Sequence, residues 1–569
     1  MASVKVYDKI NETDQLRLEA RRKTRKRVVL ISLSSIVLIA VVVGAVVGTT
    51  VRKSKGGDSA SGGAQPISTA VKAVCDSTLY PDSCLRCLLP LAKSNQIQPG
   101  DVFKLSLQVA MDELSRSAAL FFSKFQGGGA DKMSVAALET CREALDLALD
   151  HMNISLSSSG DLTEAFDDLQ TWLSAAGTFQ QTCIDGFDDA STVENLKTSV
   201  LKYLQNSTEY TSNSLAIINQ FSNIVSPPNL RRRRLMVLAE MPEWVSRKDR
   251  RLIESGSGRM KVDVVVAKDG SGKYQSIKAA LAAVPEKSKK RLVIYVKKGV
   301  YYENVRVEKK QWNVMMIGDG KDKTIVSGGL NFVDGTPTFQ TATFAVFGKG
   351  FIAEDMAFVN TAGPAKHQAV ALISTADESV FYRCRFDAFQ DTLYAHSNRQ
   401  FYRECDISGT VDFIFGNSAV VFQNCNILAK APMRGQMNTI TAQGKMDPNQ
   451  NTGISIQNCT ISPSGDLNAV QTFLGRPWKN YSTTVIMQSI IGSFVDPTGW
   501  LPWTGNSAPD TIFYAEFENR GPGSWTKKRV SWKGLRNITR KQASKFTVKP
   551  FISGDKWLPA TGVEYKPDL

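Results

Sequence analysis

With 569 residues the chain is too long for one ordinary domain, so two folded units plus tails are expected. Its formal charge of +15 is lopsided: residues 60–226 carry roughly −9 and residues 252–569 roughly +12. A basic balance suits nucleic acid, an anionic membrane or an acidic polymer, but no zinc-finger spacing, recognition-helix signature or arginine-rich tract in a folded region supports nucleic acid, and the three histidines form no metal-binding spacing with the nine cysteines.

In chain order, residues 1–27 form a basic tail ending in RRKTRKR, and residues 28–51 form an uncharged apolar run. The run is long enough to cross a hydrocarbon core of roughly 30 Å as a helix. The tail should therefore stay cytoplasmic, with 28–51 a transmembrane signal anchor and everything beyond it exported; a cleaved signal segment is the alternative. Residues 52–66 are rich in Gly and Ser and read as a flexible tether. Residues 67–225 repeat apolar side chains at three and four, as in AALETCREALDLALDHM (136–152), which predicts an all-α helical bundle. Export makes disulfides the default. Cys75 with Cys84 and Cys141 with Cys183 are pairings this segment can form, leaving Cys87 over, although spacing alone does not determine connectivity. These cysteines, with TLYPDSC (78–84) and AAGTFQQTCIDGF (175–187), resemble the plant invertase and pectin methylesterase inhibitor family. An inert helical spacer is the competing reading.

Residues 226–257 combine prolines, glycines and two basic clusters and read as an exposed linker. Cleavage after Arg234 or Arg251 by a processing protease of the secretory pathway would free the basic part from the acidic one; a solvated charge run is the plainer alternative.

From residue 258 to the C-terminus short β-rich runs replace the helical period, with one helical interruption near 276–284. FYRCRF (381–386), FYRECDI (401–407), VFQNCNI (421–427) and SIQNCTI (455–461) repeat one phrase, and Cys384, Cys405 and Cys425 recur at about twenty residues, with Cys459 after a longer gap. Such a period predicts a parallel β-helix with a loop inserted in one turn, rather than a β-sandwich, whose turns recur every 8–12 residues. Equivalent positions on adjacent rungs lie about 4.8 Å apart, so Cys384–Cys405 and Cys425–Cys459 are the expected bridges, with one thiol left free in the chain.

The same interval separates Asp391 from Asp412, which places two carboxylates side by side on neighbouring rungs. Like charges that close favour one protonated acid and one anion, an acid and a nucleophile. Gln390 and Gln368 fall near the same column and can donate to an oxyanion; Arg476 can hold the ionised carboxylate and Trp478 can stack on a sugar. No G-x-S-x-G elbow occurs, which disfavours a Ser-His-Asp esterase, and His367 and His396 are left to hydrogen-bonding or structural roles.

AKHQAVAL (365–372), FQDTLY (389–394), GTVDFIFG (409–416) and LGRPW (474–478) resemble, in order and spacing, the plant pectin methylesterase (pectinesterase) family over residues 258–569. The resemblance implies a right-handed parallel β-helix, no cofactor or metal, and methyl-esterified homogalacturonan as substrate. It also implies Asp412 as nucleophile, Asp391 as proton donor and then base, Gln390 as oxyanion stabiliser, and Thr338, Gln368, Arg476 and Trp478 as substrate-binding residues. A lyase or glycosidase on the same fold and a non-catalytic wall-binding or inhibitory protein are the rivals. The acidic segment 67–225 is expected to hold the enzyme inactive, or to chaperone it, until the linker is cut. Asn153, Asn206, Asn480 and Asn537 begin N-glycosylation triplets; Asn458 does too, but its place beside Cys459 suggests a core strand and no modification.

Overall fold

Apolar side chains at helical spacing build the first part of the described chain: α1 (Pro66–Cys75), α2 (Pro81–Leu88), α3 (Pro99–Lys124), α4 (Lys132–Ser158), α5 (Leu162–Asp185) and α6 (Glu194–Val225). The computed structural model describes residues 66–91, 99–125, 132–160, 162–188, 194–225 and 262–569. The expected membrane run at 28–51, nearly all of the tether, and Arg234 and Arg251 lie outside them. Among the described residues no helix is long and apolar enough to cross a membrane. On α4 the buried side chains are mostly small, Ala137, Cys141, Ala144 and Ala148, and Ala175 and Ala176 of α5 are buried as well, so these two helices lie close enough for Cys141 and Cys183 to be bonded, with Cα atoms 3.9 Å apart. A second bond, Cys75–Cys84, ties α1 to α2.

From Val264 onward the chain coils. One turn runs through Ser379–Tyr382, Arg385–Asp387 and Leu393–Ala395, and the next through Arg399–Arg403, Asp406–Gly409 and Ile414–Gly416. Register partners are Tyr382 with Arg403, Arg385 with Asp406 and Leu393 with Ile414, an offset of 21 residues each time. The central coils each give one strand to each of three parallel sheets, of eleven, eight and seven strands among the described residues, which is a parallel β-helix. Side chains pointing inward stack on their rung neighbours: Phe381 lies 4.7 Å from Tyr402, and Tyr402 4.7 Å from Phe422, ring on ring at the strand spacing.

Between the first and second sheets four successive coils turn on one left-handed residue each, Arg383, Glu404, Asn424 and Asn458, with φ of 51°, 55°, 56° and 53°. The next residue is then aimed into the core, and in these four coils it is Cys384, Cys405, Cys425 and Cys459. These four are free buried thiols, so the expected Cys384–Cys405 and Cys425–Cys459 bridges are not formed, and with Cys87 the free thiols number five rather than one. In a parallel stack the Cβ vectors of a column run side by side at about 4.8 Å instead of converging to the ~3.8 Å a disulfide requires. Each sulfur sits against rung carbonyls instead; Cys405 Sγ donates to Phe381 O at 3.3 Å. Asn458 belongs to the turn and is exposed, not a core strand residue, with its amide nitrogen 2.8 Å from the Asn424 side-chain oxygen.

Residues Pro66–Leu569 form one compact unit. On the third sheet Ile373, Tyr394, Phe415 and Ala442 stand in one outward column on successive rungs. They are buried, because the core of α3–α6, including Phe121, Leu173 and Phe179, continues over them without a break. The opposite flank, the outside of the first sheet, is covered by Val548, Ile552, Trp557 and Leu558 from the C-terminal helical turns packing on Val380, Phe401 and Val421.

Candidate active site

Asp391 and Asp412 each stand two residues ahead of a third-sheet strand, and those strands pair at Leu393 and Ile414, so the two carboxylates are one rung apart. Both occupy left-handed backbone, with φ of 63° and 51°. That conformation costs a non-glycine residue on the order of 1 kcal/mol, and Asp is among the residues that adopt it most readily. Local hydrogen bonds hold it: Asp391 N donates to Val411 O at 3.0 Å, and Asp412 N to Thr439 Oγ1 at 2.9 Å. Gly416 closes the next turn at φ 125°, where a Cβ would stand 2.1 Å from Ala395 O.

Arg476 grips Asp412 with two parallel contacts, Nε to Oδ1 at 2.9 Å and Nη2 to Oδ2 at 2.6 Å. Thr439 Oγ1 donates a third, at 2.6 Å to Oδ1. Burial works to lower the pKa of Arg476, and the bond to Asp412 overcomes it and raises it. The two carboxylate residues are 8% and 5% exposed, so this charge is nearly withdrawn from water and its pairing matters more than a surface pair would. Arg476 also lies over the Trp503 ring, 4.2 Å from its centre, and Trp503 is 6.3 Å from Trp478. Trp478 can seat there because residue 444 is glycine; a Cβ would come within 2.9 Å of the indole. Gln368 and Gln390 are bridged as rung neighbours, and Ala369 N donates to Gln390 O at 3.2 Å.

Thr338, Gln368, Gln390, Asp391, Asp412, Arg476 and Trp478 all line one cavity of about 350 Å³. Three residues not expected from the sequence join them there or beside them. Trp503 and Tyr394 line the cavity, and Thr439 orients Asp412. Trp503 follows a proline as Trp478 does, a faint signal; Thr439 stands 27 residues after Asp412, on a rung displaced by an inserted loop, where a 21-residue count does not find it.

α4 and α5 form one wall of the cavity. Thr140, Thr182, Asp185 and Asp188 contribute to its wall, and Asp185 pairs with Lys479 at 2.7 Å. Burial raises the pKa of Asp185, with Lys479 opposing. Beside the site His396 is fully buried and its pKa is lowered to about 3, first by desolvation and then by the neighbouring His151. Its ring lies 4.8 Å from Phe179 of α5, and Thr182 Oγ1 is 2.8 Å from Nε2. His367 is exposed. Neither ring is in the cavity lining, which leaves carboxylates, amides and one guanidinium to do the chemistry.

The family model described as Pectinesterase matches residues 263–555, and that described as Plant invertase/pectin methylesterase inhibitor matches residues 69–217. The chain is 56% identical over 571 residues to "Probable pectinesterase/pectinesterase inhibitor 46" of Arabidopsis thaliana, covering 99% of this chain and 100% of that one. It is 49% identical to "Pectinesterase 3" of Phaseolus vulgaris, covering 100% and 99% of the two chains. Among solved structures, "Pectin methylesterase from Carrot" superposes with a TM-score of 0.54 at 52% identity, covering 55% of this chain and all of that one.

Proposed function

Since the chain belongs to the pectinesterase family and carries an inhibitor-family domain ahead of its enzyme domain, we propose how its residues divide the work of demethylating pectin. The Asp412 carboxylate attacks the carbonyl carbon of a galacturonate methyl ester. The amides of Gln390 and Gln368 donate to the oxyanion, and Asp391 gives its proton to the departing methoxide, which leaves as methanol. An acyl anhydride on Asp412 remains, and water opens it after yielding a proton to Asp391, which releases the free galacturonate and restores both aspartates. Arg476 is the countercharge of Asp412 throughout. Thr338 and Trp478 hold the sugar, with Trp503 extending the aromatic wall.

The observation that carries this reading is the two-pronged Arg476–Asp412 contact one rung from Asp391, inside a cavity walled by tryptophan. Asp412→Ala is expected to abolish methanol release from methylated pectin. Methanol release by the intact enzyme with no shortening of the polymer separates an esterase from a glycosidase or lyase; persistence of that release in Asp412→Ala would sink the assignment.

The acidic segment, residues 67–225, is read as an autoinhibitory domain of the enzyme at 258–569, because α4 and α5 wall the same cavity that must admit the polymer. Residues 28–51 are read as a signal anchor or signal segment delivering the chain towards the cell wall, and 226–257 as the linker cut after Arg234 or Arg251 by a secretory-pathway protease. N-terminal sequencing of wall-extracted protein tests the cut: a start near Leu235 or Leu252 supports it, and recovery only of the uncut chain in fully active form excludes both the cut and autoinhibition.

A further inference from the structure

A second cavity, of about 510 Å³, opens where α4 and α5 meet the coil near Lys309–Trp312. Its size lies within the roughly 300–1,000 Å³ of pockets that bury a whole small ligand. Two indoles form its walls, Trp172 from α5 and Trp312 from the β-helix, and each is fixed at its N–H: Trp172 donates to Asp377 Oδ2 at 3.1 Å and Trp312 to Lys309 O at 2.9 Å. With each N–H satisfied inside the protein, the rings are what the two indoles offer the cavity, beside Lys349 and Lys287, whose ammonium groups lie 5.9 Å from the ring centres of Trp172 and Trp312 respectively, and the apolar face of a pyranose is a natural partner for such a ring.

Charge narrows the ligand class. Of the four lysines that line the cavity, Lys309 pairs with Asp150, Lys310 with Glu286 at 3.2 Å and Lys349 with Glu378 at 3.5 Å, while Lys287 lies 5.9 Å from the centre of the Trp312 ring. With three of the four cations already matched to carboxylates, and with Asp150 and Asp377 also in the lining, the cavity favours an uncharged saccharide over a uronate. One such saccharide has its attachment point in the wall: Asn153 lines the cavity, is exposed, and begins the triplet Asn153-Ile154-Ser155. By contrast Asn206, Asn480 and Asn537 stand on exposed surface.

We propose that the N-linked glycan of Asn153 folds back into this cavity, its first N-acetylglucosamine residues lying between Trp172 and Trp312, so that the sugar ties the inhibitor-like domain to the enzyme domain. The inference rests on the reading that the chain is exported. Attachment forms a bond from Asn153 Nδ2 to the anomeric carbon of the sugar and breaks that carbon's bond to a lipid pyrophosphate donor, and the amide proton leaves with the pyrophosphate. Ser155 is buried in the fold, its hydroxyl donating to His151 O at 2.8 Å, so the triplet is modified before α4 closes.

The test uses the full chain secreted from plant cells, with glycopeptide mass spectrometry and a time course of native digestion by peptide N-glycosidase. Sugar is expected at Asn153, released about tenfold or more slowly than at the most accessible surface site, because release requires the cavity to open. Trp312→Ala is expected to leave occupancy unchanged while removing that difference. Asn153→Gln is expected to speed dissociation of the linker-cut halves several-fold, whereas Asn206→Gln does not. Retention of the chain inside the cells with no sugar attached overturns the export reading and this inference with it, whereas a secreted chain with sugar at none of the four asparagines overturns this inference alone. Sugar at other sites but not Asn153, equal release at Asn153, or Trp312-dependent binding of tri-galacturonate by the glycosylated chain overturns this inference alone.

Discussion

The Asp412 carboxylate is held by two neighbours, the guanidinium of Arg476 and the hydroxyl of Thr439. Replacing Asp412 with Asn keeps the shape but removes the charge opposite Arg476 that the proposed mechanism uses as nucleophile, so kcat for methanol release is expected to fall by about three orders of magnitude or more. Arg476→Lys keeps a positive charge but cannot make both contacts, and a loss of about 10- to 100-fold, mainly in kcat, is expected. His396 makes a pH prediction. Folded, it takes a proton only near pH 3; unfolded, it does so near the ordinary value of 6.5, so between these the unfolded state binds more protons. Its contribution to stability is therefore full above about pH 6.5 and lost as pH falls towards 3. Urea unfolding at pH 7 and pH 4.5 should show a larger acid-side loss in the natural chain than in His396→Asn; an equal loss would mean other groups govern that slope.

At the scale of strands and turns, the cysteine column is the instructive case. Period and composition placed four cysteines in register, and register is what the coils show, yet the bridges do not form because stacked side chains run parallel. Thiol titration of the denatured, unreduced chain should find five free groups, against one if the bridges existed. In the native chain Cys87, the half-buried one, should react before the four buried in the column. Gly416→Ala would place a methyl group 2.1 Å from Ala395 O at a φ of 125°, and a destabilisation of about 2–4 kcal/mol in urea unfolding is expected. The aspartate pair was legible because the coil repeats at a constant interval and both residues sit at the same phase of it. Thr439 was not, since an insertion breaks the count, and Trp503 reaches the cavity from a loop outside the repeat.

Across the whole molecule the polarity of charge is carried into contacts. Glu143 pairs with Arg306, Asp150 with Lys309, Asp167 with Lys556 at 2.7 Å, Asp168 with Arg399 at 2.7 Å and Asp185 with Lys479 at 2.7 Å, the acid on the helical side in each. Most of these are partly exposed, so each is weak and screened by salt, while the apolar cover over Tyr394 and Phe415 supplies adhesion. Raising ionic strength should therefore increase the activity of the uncut chain more than that of a fragment beginning at Leu252. Reversing Arg306 and Lys309 to Glu should mimic high salt, and restoring the pairs with Glu143→Arg and Asp150→Arg should undo it. An uncut chain as active as the fragment at low salt would exclude autoinhibition.

The sequence by itself determined the period of the coil, the helical character of the acidic part, and the phase that brings Asp391, Asp412, Gln390 and Gln368 together, because these depend on spacing along the chain alone. Tertiary structure alone decided three things: that Arg476 meets Asp412 with both prongs, that the cysteine column stays reduced, and that α4 and α5 lie over the face that carries Asp391 and Asp412. Each depends on the direction in which side chains point and on surfaces far apart in sequence meeting, and linear spacing carries neither.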